Sequence, residues 1–134
     1  MAFDTVVFDT CVWVAAMNEE DSLHARAVEA FRTNKDTVIL PEYVIVETCT
    51  ALRHRANKET ADRFLETTLS NDTARLLFAG EDTIRHSTNF YRSSDHPGLS
   101  YVDVFLLFLS QTHRIVTFDK QLDKLIRKSK SGPT

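Results

Sequence analysis

The chain has 134 residues, 43% hydrophobic and 26% charged, with a formal net charge of −3. That length suits one domain with a sizeable single core. Only three Gly and three Pro argue against both an all-β fold of many tight turns and a disordered chain. The mild acidity gives no broad basic surface, so a polyanionic ligand would have to be met by local basic residues or by bound cations.

Residues 5–8, Thr-Val-Val-Phe, form a β-branched and aromatic run that predicts a buried strand. Asp9 breaks it, and residues 10–17 are apolar again at a spacing that suits a short helix. Asp9 therefore sits where a strand hands over to a helix, the position at which open α/β sheets bind ligands. Ser22 is expected to cap a helix over residues 23–32. A second strand covers 37–40, and Pro41 suits the first turn of a helix running to about Arg55. That helix carries Val44, Ile45, Val46, Cys49 and Leu52, with Glu47 as the one charge in its middle.

Ala61, Phe64, Leu65 and Leu69 mark one face of a helix over 58–69. A turn follows at Asn71 and Asp72, then a third strand over 74–78. Gly80 opens a polar helix through Tyr91. Residues 99–113 predict an apolar helix interrupted by Asp103. Residues 114–119 repeat the opening pattern, an apolar strand ending on Asp119, and a helix over 120–128 follows. Strands alternating with helices predict a parallel sheet with helices on both faces, as one domain over residues 1–128 with a disordered tail over 129–134. No apolar run approaches the roughly 20 residues that cross a bilayer, and the N-terminus enters a strand without a leader pattern. These features predict a soluble cytoplasmic protein with no membrane partner. Cys11 and Cys49 lack CxxC or Cys/His spacing, which predicts buried reduced thiols and no zinc site.

Four acids stand in apolar settings: Asp9 and Asp119 at strand ends, Glu47 and Asp103 within helices. Burying carboxylates together is unfavourable unless protons, cationic partners or a divalent ion offset their repulsion. Hard cations such as Mg²⁺ and Mn²⁺ take carboxylate oxygens, and paired ions serve in-line phosphoryl displacement. Each acid alone also has an ordinary reading. Asp9 or Asp119 is as often a helix N-cap, and Glu47 or Asp103 is more often a salt-bridge partner or simply an exposed position.

The pieces Val7-Phe8-Asp9-Thr10, Leu40-Pro41 leading to Val46-Glu47, Leu99-Ser100-Tyr101-Val102-Asp103 and Val116-Thr117-Phe118-Asp119 resemble the PIN-domain ribonucleases, most closely the VapC-like toxins of toxin–antitoxin pairs. The match extends in order over nearly the whole chain. The resemblance implies a three-layer α/β/α fold with a central, mostly parallel sheet of four to five strands. It also implies a metal-dependent endoribonuclease in which Asp9, Glu47, Asp103 and Asp119 are the catalytic and metal-holding acids, binding one or two Mg²⁺ or Mn²⁺ ions. Thr10 and Thr117 match the family's supporting hydroxyls, and each serves equally well as a simple helix cap. RNA, a cognate antitoxin and a second copy of the chain are the partners it implies, with the antitoxin received in a hydrophobic groove of the first helices.

Cys11 departs from the pattern, standing where a small Ser or Asn is common. Asp123 falls on the same helical face as Asp119 but reads more simply as a surface acid. The alternative function is a non-catalytic PIN-like module that binds RNA or protein. A phosphoacceptor receiver domain would want Lys where Asp119 stands. A haloacid-dehalogenase-type phosphatase would want Asp where Cys11 stands.

Overall fold

The structure, a computed structural model, describes residues 3–70 and 72–130. Four strands, β1 (Thr5–Phe8), β2 (Thr37–Pro41), β3 (Arg75–Leu77) and β4 (Arg114–Val116), form one sheet in the order β3-β2-β1-β4. Every pairing is parallel. The helices α1 (Thr10–Met17), α2 (His24–Thr33), α3 (Glu42–Arg55), α4 (Lys58–Ser70), α5 (Glu81–Ser93), α6 (Tyr101–Leu109) and α7 (Lys120–Lys130) carry the connections. The result is the three-layer α/β/α fold with an all-parallel sheet. None of these helices is long and apolar enough to cross a membrane.

The central position of β1 follows from its composition. Val6, Val7 and Phe8 have no exposed surface, as a parallel strand covered on both faces requires. Phe8 stacks on Phe31 of α2 at 4.0 Å between ring centroids and meets Trp13 of α1 edge-on at 6.0 Å. Trp13 in turn packs against Phe64 of α4, so one aromatic cluster joins β1 to three helices. On α3, Val44, Thr48 and Leu52 form the buried stripe, spaced at four residues as a single helical face demands. On α7 the stripe is Leu122 and Ile126.

Several boundaries differ from the sequence expectation, each for a local reason. Ser22 does not cap α2; the Asp21 carboxylate accepts from the Leu23 N–H at 2.9 Å, and Leu23 takes the N-cap position without a side-chain bond. Pro41 closes β2 and serves as the N-cap of α3 instead of its first turn. The helix over 99–113 contracts to Tyr101–Leu109, because Ser100 and Asp103 form a capping box at its start. Residues 111–113 then turn back toward β4. Helix α7 continues to Lys130, two residues into the expected tail. Asn71, half of the expected turn, and residues 131–134 lie outside the described residues; Asp72 has a left-handed backbone with φ 51°.

Candidate active site

The chain runs β1 to β2 to β3 in one direction and then places β4 on the other side of β1. The order therefore reverses between β1 and β4. In open α/β sheets the crevice at such a switch point, beyond the carboxyl ends of the strands, is where ligands bind. Asp9 directly follows β1, and Asp119 lies three residues past the end of β4. Helix α3 starts from the same edge after β2 and carries Glu47 in its second turn. Helix α6 precedes β4 and must run back along the sheet to reach it, so its first turn, with Asp103, lies at that edge too.

Asp9 is 7% exposed, and its backbone N–H extends the sheet ladder to the Val116 carbonyl at 2.9 Å. Its side chain is held from both ends. Oδ1 accepts from the Thr10 N–H at 2.7 Å. Oδ2 accepts from the Thr117 hydroxyl at 2.7 Å and from the Cys11 thiol at 3.6 Å. Burial nonetheless lifts the Asp9 carboxyl above its ordinary value, against the pull of the Thr117 and Thr10 bonds, and the charge of Asp103 adds to the lift. Burial beside Asp9 also pushes the Cys11 thiol up to about 11. Cys11 is thus a protonated donor at neutral pH, which distinguishes it from a thiolate ligand or nucleophile. Both cysteines are free thiols.

The other acids tie in by separate routes. Glu47 accepts from the Thr10 hydroxyl, so one threonine bonds Asp9 through its backbone and Glu47 through its side chain. Thr117 plays the matching part on the other flank: it donates to Asp9 and accepts from the Asp119 N–H at 3.0 Å. The Asp119 carboxylate caps α7, accepting from the Gln121 and Leu122 N–H groups at 2.9 and 3.2 Å. Asp103 accepts from the Ser100 N–H at 3.0 Å within its capping box. The simple capping reading therefore describes Asp9 and Asp119 correctly, while Thr10 and Thr117 act as links between acids instead of caps.

One expectation needs correction. Only Asp9 is buried; Asp103 and Asp119 are half-buried and Glu47 is exposed. The apolar residues around Glu47 misled because α3 buries one stripe only, and its neighbour Val46 is 66% exposed. The four acids share an edge without closing into a knot: among the described residues, no three His, Cys, Asp or Glu side chains are gathered closely enough to hold one ion. An open apolar cleft of about 510 Å³ lies beside Glu47, with Tyr43, Val46, Ile84, Val102 and Phe105 in its walls.

The donor set consists of carboxylate oxygens, and among the described residues none of the four acids has an ion-pair partner. A buried carboxylate without a cation suits a hard divalent ion. Among the basic residues, Lys58, Arg85, Arg114 and Arg127 pair with Asp62, Glu81, Asp36 and Asp123. Asp123 is thereby occupied away from Asp119, and Arg114 belongs to β4's opposite end. The sequence offered no pointer to Arg26, whose guanidinium carbon lies 4.6 Å from the centroid of the Phe118 ring. That contact spans most of the chain length and leaves no local pattern.

A parallel sheet with carboxylates at its switch point defines the class: an α/β protein whose ligand edge is acidic and oxygen-rich. The PIN domain family model matches residues 6–128, and the chain belongs to the PIN-domain family. The crystal structure of Mycobacterium tuberculosis VapC20, a toxin that cleaves the sarcin–ricin loop, is similar with a TM-score of 0.79 at 20% sequence identity. The match covers 89% of this chain and 93% of that one, a likeness of fold. No curated protein sequence matches this chain.

Proposed function

We propose that this protein is a metal-dependent endoribonuclease that hydrolyses RNA phosphodiester bonds, acting in the cytoplasm as the toxin of a VapBC-type pair. The observation that carries the reading is Asp9, a buried carboxylate at the switch point, raised by desolvation and by Asp103 and without a cationic partner among the described residues. Family membership and the shared fold with VapC20, itself an RNA-cleaving toxin, support it.

In this reading Asp9, Glu47, Asp103 and Asp119 would hold one or two Mg²⁺ or Mn²⁺ ions, which requires the acids to draw closer than their present spacing along the edge. Such an ion supplies charge neutralisation for a phosphodiester and makes water a competent nucleophile at neutral pH. The chain's own residues do the positioning. The Thr10 N–H and the Thr117 hydroxyl favour ionised Asp9 and fix its plane. Oδ2 is taken up by two donors, which leaves Oδ1 the freer oxygen. The Thr10 hydroxyl keeps an exposed glutamate turned toward Asp9, and the capping box limits the rotamers of Asp103. Fixed donors and acceptors of this kind act without reorganisation during reaction. An antitoxin segment and a second copy of the chain complete the proposed partners.

The spread of the acids favours a second reading, a PIN-like module that binds RNA or protein without cutting. RNA cleavage in Mg²⁺ or Mn²⁺ separates the two. The parent is expected to cut, with Asp9→Asn and Asp103→Asn each slower by about 100-fold or more, the scale of losing one electrostatic stabiliser. Equal cleavage by all three, or no cleavage of several RNAs by folded parent, would defeat the nuclease reading.

A further inference from the structure

We propose that Arg26 is a substrate-binding residue that engages an RNA phosphate flanking the one at the acids, an assignment that rests on the nuclease reading. Phe118 stands between the two residues that build one flank of the site, Thr117 on Asp9 and Asp119 on α7. The ring is therefore carried by the site itself. Arg26, in the first turn of α2, lays its guanidinium over that ring at 4.6 Å.

Arg32, Arg85, Arg114 and Arg127 are each paired with an acid, whereas Arg26, like Arg53, Arg55, Arg63, Arg75 and Arg92, is exposed and makes no ion pair among the described residues. What sets Arg26 apart among the described arginines is its place over an aromatic ring carried by the site. Stacking on an aromatic face holds the guanidinium plane while leaving its N–H edge open, and that edge matches phosphate oxygens two at a time. An RNA strand approaching four carboxylates on a chain of net charge −3 meets repulsion. A fixed cation on the rim offsets it where the strand continues past the reacting phosphate.

The test uses the full chain carrying Asp9→Asn, so that RNA is bound and not cut, and a fluorescein-labelled single-stranded oligoribonucleotide of mixed sequence. Anisotropy titrations over a series of KCl concentrations give both affinity and the slope of log K against log salt. Adding Arg26→Gln is expected to weaken binding about fivefold or more and to lower the slope by about 0.7, the value for one phosphate contact on a single strand. Arg26→Lys keeps the slope, and Phe118→Leu weakens binding with the slope intact. An unchanged affinity and slope in Arg26→Gln overturns the proposal. So does lost affinity with an unchanged slope, which would mean base stacking instead of phosphate contact. Failure of the folded Asp9→Asn protein to bind RNA even at low salt defeats the nuclease reading itself, and this assignment with it.

Discussion

Thr117→Val isolates the link between the first and last acids. Valine keeps the shape and deletes the hydroxyl that donates to Asp9 Oδ2 at 2.7 Å and accepts from the Asp119 N–H at 3.0 Å. A hydrogen bond to a charged group contributes about 1.5–3 kcal/mol and a neutral one about 0.5–1.5 kcal/mol. Thr117 is only half-buried, so water replaces part of both, and the expected loss at pH 7 is about 2 kcal/mol, or roughly 6–10 °C in Tm. The loss has a pH signature. The Thr117 bond favours ionised Asp9 against the burial that raises its pKa, so removing it raises that pKa further. The unfolded chain is the same in both proteins, and the charge-dependent part of the difference is therefore full above the folded pKa of Asp9. It fades as pH falls through that raised pKa toward the ordinary value of 3.8. Only the part due to the Asp119 N–H survives in acid, about 0.5–1 kcal/mol. Urea unfolding of parent and variant across that range is the assay. A neutral-pH difference below about 0.5 kcal/mol, or one of the same size at every pH, would refute the placement of this hydroxyl on an ionised Asp9.

Asp9→Asn is expected to raise Tm at pH 7 while reducing RNA cleavage, because the amide removes a buried charge whose desolvation the local donors do not fully offset. The gain shrinks as pH falls through the raised folded pKa of Asp9, where the parent takes up its proton; melts that coincide at pH 7 would contradict the burial argument. Ser100→Ala removes the cap at the start of α6 and should lower stability by about 1 kcal/mol. It also frees the Asp103 carboxylate from its box, so cleavage falls more than the Tm shift accounts for. Cleavage per folded molecule equal to the parent's would show that the box does not position Asp103.

The alternation of strands and helices was written locally: three all-apolar residues before Asp9, a Pro after β2 and stripes at helical spacing on α3 and α7 each obey a period that the chain carries without help. The four candidate acids could be picked out too, since an isolated acid in an apolar run stands out from its neighbours. Burial was not. Val46 and Glu47 sit in as apolar a run as any, yet which face of α3 meets the core depends on what α1 and α4 press against it. Sequence alone thus determined the class of fold and picked out the candidate residues of the site. The tertiary structure alone decided that β1 lies between β2 and β4, so that Asp9 is the buried acid at the switch point. It also decided that Thr10 and Thr117 bridge to Glu47 and Asp119, and that Arg26 rests on Phe118. Each of these is a contact between distant segments, set by how the elements pack, and no local period encodes it.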